Sequence, residues 1–268
     1  MIVSVCQRWR DQRGSYRLAG EPFDPAVFEV APIALDGPAR AFVEAHHYSG
    51  TYPAARRRFG LYARSGGLAG VAVFSQPMRD EVLRPWSRDA AMELGRLVLL
   101  DDVRANGESW FVARCFDALR REGLAGIVSH ADPEARTDAD GVTVFVGHIG
   151  TVYQALGAVY TGRASPRTMR VCADGRELSN RAASKLRNGE RGARYATAQL
   201  VAAGAREPAE GEDLAAWYRA EVARITRAQR HHGNHRYVWA LSRGAHRDLT
   251  RSAVALPYPK LGMFARRS

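Results

Sequence analysis

The sequence predicts an α/β protein: a central mixed sheet flanked by helices, with a basic helical C-terminal extension. Three observations carry this. Residues 93–132 read as strand, loop, helix, strand. Leu97, Val98, Leu99 and Leu100 form a short apolar run suited to a strand covered on both faces. Trp110, Phe111, Val112, Cys115, Phe116 and Leu119 then recur at helical spacing, with arginines between them, and 125–128 is a second apolar run. A strand, a crossover helix and a neighbouring strand of this length make a right-handed βαβ unit. The second observation is a hairpin, with strand-like segments at 57–62 and 68–74 flanking Arg64-Ser65-Gly66-Gly67. The third is charge. The net charge is +11, of which 181–268 holds 17 Lys and Arg against 7 Asp and Glu.

In chain order, residues 1–38 are punctuated by Pro and Gly and read as an irregular N-terminal arm, with Trp9 and Tyr16 as aromatic anchors. The catalytic core is expected over 39–180. A short amphipathic helix over 39–47 leads into His46-His47-Tyr48-Ser49-Gly50-Thr51, a loop dense in groups that donate, accept or titrate. The hairpin follows, then a polar loop over 76–90, the strand over 92–100 and the βαβ unit. After Asp132 come a polar loop, a short helix over 151–156 closed by Gly157, and a strand over 168–173. The basic extension, 181–268, opens with a helix interrupted by Gly189 and Gly192. An acidic linker over 206–213 follows, then an amphipathic helix over 214–230.

No apolar run approaches the ~20 residues that span a bilayer, and the first residues are too weakly apolar for a signal peptide. Three scattered cysteines suit buried thiols in a reducing compartment rather than a disulfide framework. The expected location is the cytoplasm. A basic excess without an apolar helical face points to nucleic acid before membrane; the alternative is a solvated basic surface. Arg224, Arg227 and Arg230 fall at i, i+3 and i+6, one helical face. With His235, Arg236 and the nearby Tyr237 and Trp239 they make the expected nucleic-acid contact, and a solvated helix over core aromatics is the competing reading.

The order of elements resembles the GNAT acyltransferase plan, and Tyr153-Gln154-Ala155-Leu156-Gly157 is similar to a GNAT helix whose tyrosine often acts as general acid. Residues 102–109 depart from it, with one glycine, one arginine and a glutamate where GNAT proteins usually place a glycine-bearing loop for CoA pyrophosphate. More closely, the chain resembles the Mom-type family of phage proteins, which modify DNA adenine at N6 to a methylcarbamoyl form. The matching residues are His47 to Gly50, Glu93 to Arg96, Glu108 to Phe111, Ser129 with Asp132, and Gly150 to Gln154. The resemblance implies a DNA-acting, acyltransferase-derived enzyme.

The exocyclic amine of adenine is a poor nucleophile, so its proton needs an acceptor. Asp132, just past a strand at the carboxyl edge of the sheet, is the candidate; a turn cap is its alternative. Tyr153 would protonate a leaving group or serve as a core tyrosine. Arg96, within a strand, would bind phosphate or donor, or form an ion pair with Glu93 or Asp132. Tyr48 and His47 would stack on or bond an extruded base. The donor, acetyl-CoA or another acyl or aminoacyl carrier, would sit at Leu99, Asn106, Gly107, Glu108 and Ser109, before the N-terminus of the central helix. No metal is assigned. Non-haem iron would use His130, Asp132 and His148, whereas a deaminase-type zinc site lacks its paired cysteines. Two further readings stand: an acyltransferase acting on a small amine or aminoacyl-tRNA, and a degenerate GNAT protein that binds nucleic acid without chemistry.

Overall fold

The computed structural model describes residues 5–77, 79–178 and 180–260. The chain divides into two compact units. One comprises 1–133, 147–164 and 234–268; the other comprises 134–146 and 165–233.

Where the sequence suggested an irregular arm, residues 5–18 form a regular hairpin. Strands β1 (Val5–Arg10) and β2 (Arg13–Leu18) form a hairpin. Its two-residue turn places Asp11 and Gln12 at φ 50° and 63°, the positive values that hairpin twist favours. Gln12 ties this turn down, its amide donating to His46 O at 3.0 Å and its side chain to Glu44 O at 2.6 Å. The hairpin is held by polar groups, so it leaves little apolar periodicity to read. Strand β3 (Phe28–Pro32) then takes the edge of the main sheet.

Helix α1 (Asp36–His46) is followed by β4 (Ala55–Ala63), β5 (Leu68–Ser75) and β6 (Ala91–Leu99), and then by α2 (Gly107–Arg121) and β7 (Gly126–Ala131). The hairpin and the βαβ unit form as the sequence predicts. Short strands β8 (Arg136–Thr137) and β9 (Thr143–Phe145) belong to the second unit, and the chain returns to the first for α3 (Thr151–Ala155) and β10 (Val159–Arg163). The second unit then holds β11 (Arg167–Cys172), α4 (Asn180–Asn188), α5 (Ala193–Ala202), α6 (Leu214–Ile225) and β12 (Thr226–His231). The first unit closes with β13 (His235–Ala240) and α7 (Arg243–Ser252).

The main sheet has seven strands in the order β10-β13-β7-β6-β5-β4-β3. Only β6 and β7 pair in parallel; the other pairs are antiparallel. The α2 side buries Phe74, Met92, Leu94, Leu99, Phe111, Val112, Ile127 and Tyr237 in one core. The α1 side buries Val43, Val71 and Val73 in another.

Two expected boundaries move. The segment 168–173 pairs with β12 in the second unit, not with the main sheet. The strand completing the sheet is β13, seventy residues beyond β10, so 181–268 is not a single extension. Tyr237 and Trp239 are core residues of this strand, at 0% and 6% exposure, not groove aromatics. Their two-residue spacing is that of a strand face, and apolar neighbours cover both sides. The predicted helix over 214–230 stops at Ile225, since Thr226 turns extended at φ −131°. Arg227 and Arg230 therefore lie on a strand and point to opposite faces.

The second unit has its own core, in which Leu178, Leu186, Leu200, Trp217 and Val222 pack together.

Candidate active site

The site is set by the parting of β6 and β7. They pair only from Ala91↔Gly126 to Glu93↔Val128, although both continue beyond. Past this point the Ser129 hydroxyl donates to Leu94 O at 2.9 Å across the gap. Side chains on the separated strand ends and nearby loops are thus brought to the carboxyl end of two parallel strands, the usual place for an α/β site.

A β-bulge aims Arg96. Val73 pairs with Arg96 but Phe74 with Leu94, leaving Gly95 as the extra residue. Met92 and Leu94 face the α2 core before the bulge, and Leu97 and Leu99 face it after. The one-residue slip passes Arg96 to the α1 face, beside the loop after α1. Glycine fits closely here: a Cβ would lie 2.5 Å from Ser75 Oγ, so that hydroxyl would have to move. Arg96 Nε donates to Thr51 O at 2.9 Å, Nη2 to Thr51 Oγ1 at 2.8 Å and Nη1 to Gly95 O at 2.6 Å.

The expected pairing of Arg96 with Glu93 or Asp132 does not form. Glu93 instead meets His130 Nδ1 at 2.9 Å. Arg96 is held by neutral oxygens alone, and burial lowers its pKa against the opposing influence of Tyr48, Glu93 and Tyr153. A buried cation without a direct carboxylate partner is costly as structure but suited to meeting negative charge from outside.

Tyr153 projects from α3, whose N-cap Gly150 adopts φ +73° with Tyr153 and Tyr237 close against it. Burial pushes the Tyr153 phenol up, and its side chain bonds that of Ser129. It therefore holds its proton at neutral pH. His47 is 5% exposed, and burial, then the charges of Arg96 and His148, drive its pKa well down. The Ser49 amide donates to His47 Nδ1 at 3.1 Å, assigning the proton of the neutral ring to Nε2.

Tyr48 lies against the His47 ring at 4.2 Å, the Trp9 ring at 4.6 Å and the His148 ring at 6.1 Å between centroids. Asp132 is buried at 7% exposure, and its carbonyl accepts the His148 amide at 2.7 Å. The structure thus gathers Arg96, Tyr153, Tyr48 and His47 at the strand split, with Asp132 joined to them through the His148 loop. Sequence reasoning placed Thr51 in a polar loop without a role, missed the bulge, and left Trp9 as an anchor of an irregular arm. The presence of Gly95 inside an apolar strand was the available signal for the bulge.

The notch before α2 does not fit a pyrophosphate. The Ala105 amide, which would face an anion, donates to Glu21 Oε2 at 3.2 Å. Hydrogen bonding from Arg17 pulls the Glu21 pKa down to about 2, so the notch already holds a carboxylate. Gly107 N donates to Arg104 O and Ser109 Oγ to Asn106 O. Glu108 is buried in an ion pair with Arg8, whose guanidinium also donates to the carbonyls of Leu100, Val103 and Arg104. Leu99 is core. The donor site expected at Leu99, Asn106, Gly107, Glu108 and Ser109 is therefore corrected: β1 and the segment after β2 fill it with the chain's own groups.

Among the described residues no three His, Cys, Asp or Glu side chains are placed to hold a metal. Four of the five predicted nucleic-acid contacts find partners within the chain. Arg224 pairs with Glu221 at 2.6 Å, and Arg227 donates to Thr137 O at 2.8 Å. His235 is 2% exposed within the sheet. Arg236 donates to Val82 O and Arg84 O, each at 2.9 Å. His235 and Arg236 are drawn into the sheet and onto internal carbonyls, while Arg224 and Arg227 stay exposed beside their partners. Arg230 is exposed, and among the described residues no carboxylate pairs with it.

This is a mixed α/β fold, a seven-stranded sheet flanked by helices whose single parallel pair splays beside a tyrosine and an arginine. The chain belongs to the Mom protein family, whose model matches residues 27–260. No curated protein sequence matches it. Among solved structures it is similar to an Escherichia coli GNAT family N-acetyltransferase (YhbS) in complex with CoA, at 16% identity over 52% of this chain and 72% of that one, TM-score 0.35. It is also similar to spermidine/spermine N-acetyltransferase SpeG from Vibrio cholerae, at 10% identity over 83% and 97%, TM-score 0.37. No helix among the described residues is long and apolar enough to cross a membrane.

Proposed function

We propose that the protein modifies the N6 amine of adenine in DNA, transferring an acyl or carbamoyl-type group to an extruded base. The observation that carries this reading is the Arg96 guanidinium, buried on neutral oxygens beside a protonated Tyr153. Membership of the Mom family supports adenine as the target. Tyr48, backed by Trp9 and His47, offers an aromatic face to a flipped base. As the amine attacks the donor carbonyl, the developing oxyanion meets Arg96. Asp132 accepts the amine proton, and Tyr153 donates its proton to the departing group. With the α2 notch filled, no step is routed through a bound pyrophosphate.

Mass spectrometry of nucleosides from cells expressing the chain tests this. A new deoxyadenosine species that disappears in Asp132→Ala and Tyr153→Phe is the expected result. Unmodified DNA with altered tRNA would replace the reading with an RNA-directed acyltransferase; DNA binding without any new nucleoside would leave a binding protein.

A further inference from the structure

The second unit carries a feature that the transferase site does not use. Strands β11 and β12 form an isolated two-stranded ribbon with six residue pairs. Its two faces differ. Met169 and Val171 are fully buried, whereas Thr168, Arg170, Ala228 and Arg230 are exposed. In the register Thr168 faces Arg230 and Arg170 faces Ala228, so the two arginines are diagonal neighbours about 7 Å apart. Arg187 of α4, in the same unit, is a further exposed cation.

These cations differ from others in the same unit. Arg167 pairs with Glu177, Arg176 with Asp174, Arg206 with Glu212 and Arg224 with Glu221. Among the described residues no carboxylate pairs with Arg170, Arg187 or Arg230. The acidic 206–213 segment lies before the N-terminus of α6, and β12 starts at its other end. Twelve helical residues, about 18 Å, separate them.

We propose that this ribbon face docks in the major groove of duplex DNA. The inference rests on the proposed function for the identity of the polyanion, and adds where it binds. A ribbon fits a groove about 12 Å wide. Six residues of strand, about 20 Å, span roughly six base pairs. Thr168 and Ala228 keep the face shallow, so Arg170 and Arg230 reach guanine edges or phosphates. A-form RNA has a deep, narrow major groove that such a ribbon does not enter.

The test uses the full chain and a 20-base-pair duplex, with affinity measured by fluorescence anisotropy across a salt series and guanine N7 protection measured by dimethyl sulfate. The double variant R170Q/R230Q should bind about 100-fold more weakly, with a shallower salt slope, and should lose N7 protection. R176Q, at an exposed but paired arginine, should match the wild type. Melting temperatures of all variants confirm folding. Wild-type affinity and slope in R170Q/R230Q would overturn the proposal, as would a loss of tRNA affinity with duplex affinity intact. Binding is read without chemistry, so the two readings fail separately. An insensitive ribbon leaves nucleoside modification standing; a ribbon-dependent affinity with no modified nucleoside removes the transferase reading alone.

Discussion

Arg8 and Arg230 carry the same group in opposite circumstances. Arg8 is 3% exposed, paired with Glu108 and bonded to three backbone carbonyls. Arg230 lies on an open ribbon with no carboxylate beside it. Arg96 stands between them, buried like Arg8 but without a direct anionic partner, like Arg230. Exposure sets what each costs, and the missing counter-charge marks which of them is poised for something outside the chain. Arg8 holds a loop in place; Arg96 and Arg230 await negative charge, one from a reacting carbonyl and the other from a polymer.

This contrast can be broken experimentally, and the largest effects belong to the site. Tyr153→Phe and Asp132→Asn each should lower the rate of nucleoside modification by 10²-fold or more, about 3 kcal/mol, in single-turnover assays. Melting should change little, because neither substitution alters volume much.

Arg8→Ala should act on stability instead. It strands a buried carboxylate and should cost about 3–5 kcal/mol, roughly 10 °C in melting temperature by calorimetry. The paired Arg8→Met/Glu108→Leu variant should recover most of the loss. If Arg8→Ala melted like the wild type, the distinction between anchoring and poised arginines would fail.

Gly95→Ala should cost about 1–3 kcal/mol, since its Cβ must displace Ser75 Oγ from 2.5 Å. It should also depress activity more than melting predicts, because the bulge sets the face to which Arg96 points.

The smallest effect is a pH dependence. His47 has its folded pKa pushed below the ordinary value near 6.5 by burial. The unfolded chain therefore binds the proton more readily. The contribution is fully present above about pH 6.5 and is lost as pH falls below it. Melting temperature should drop between pH 7 and pH 5 more steeply in the wild type than in His47→Gln.

Much of the fold was legible because it is written locally. The Arg64-Ser65-Gly66-Gly67 turn, the helical spacing from Trp110 to Leu119 and the short helix ending at Gly157 each formed in place. Tyr48, Arg96, Asp132 and Tyr153 were singled out by residue chemistry and family resemblance, and the fold draws them toward the strand split. What escaped was non-local. The β1–β2 hairpin is held by Arg8 and Arg17 on distant carbonyls, which no apolar alternation announces. Arg170 was hidden because its neighbours on the ribbon lie some sixty residues away. The helix expected through Arg230 followed charge spacing, and the turn to strand at Thr226 ended it. A tertiary partner, not propensity, decided each of these.

The seating of β13 between β7 and β10 carries a consequence for biosynthesis. Every other strand of the sheet leaves the ribosome before residue 164, while the one that joins its two parts emerges only after residue 234. Until then β7 and β10 each present an open hydrogen-bonding edge, a template for wrong partners. Closing that slot requires a contact spanning more than seventy residues, a slow event by topology. Nascent chains of this protein should therefore need shelter longest in the interval between the emergence of β10 and that of β13.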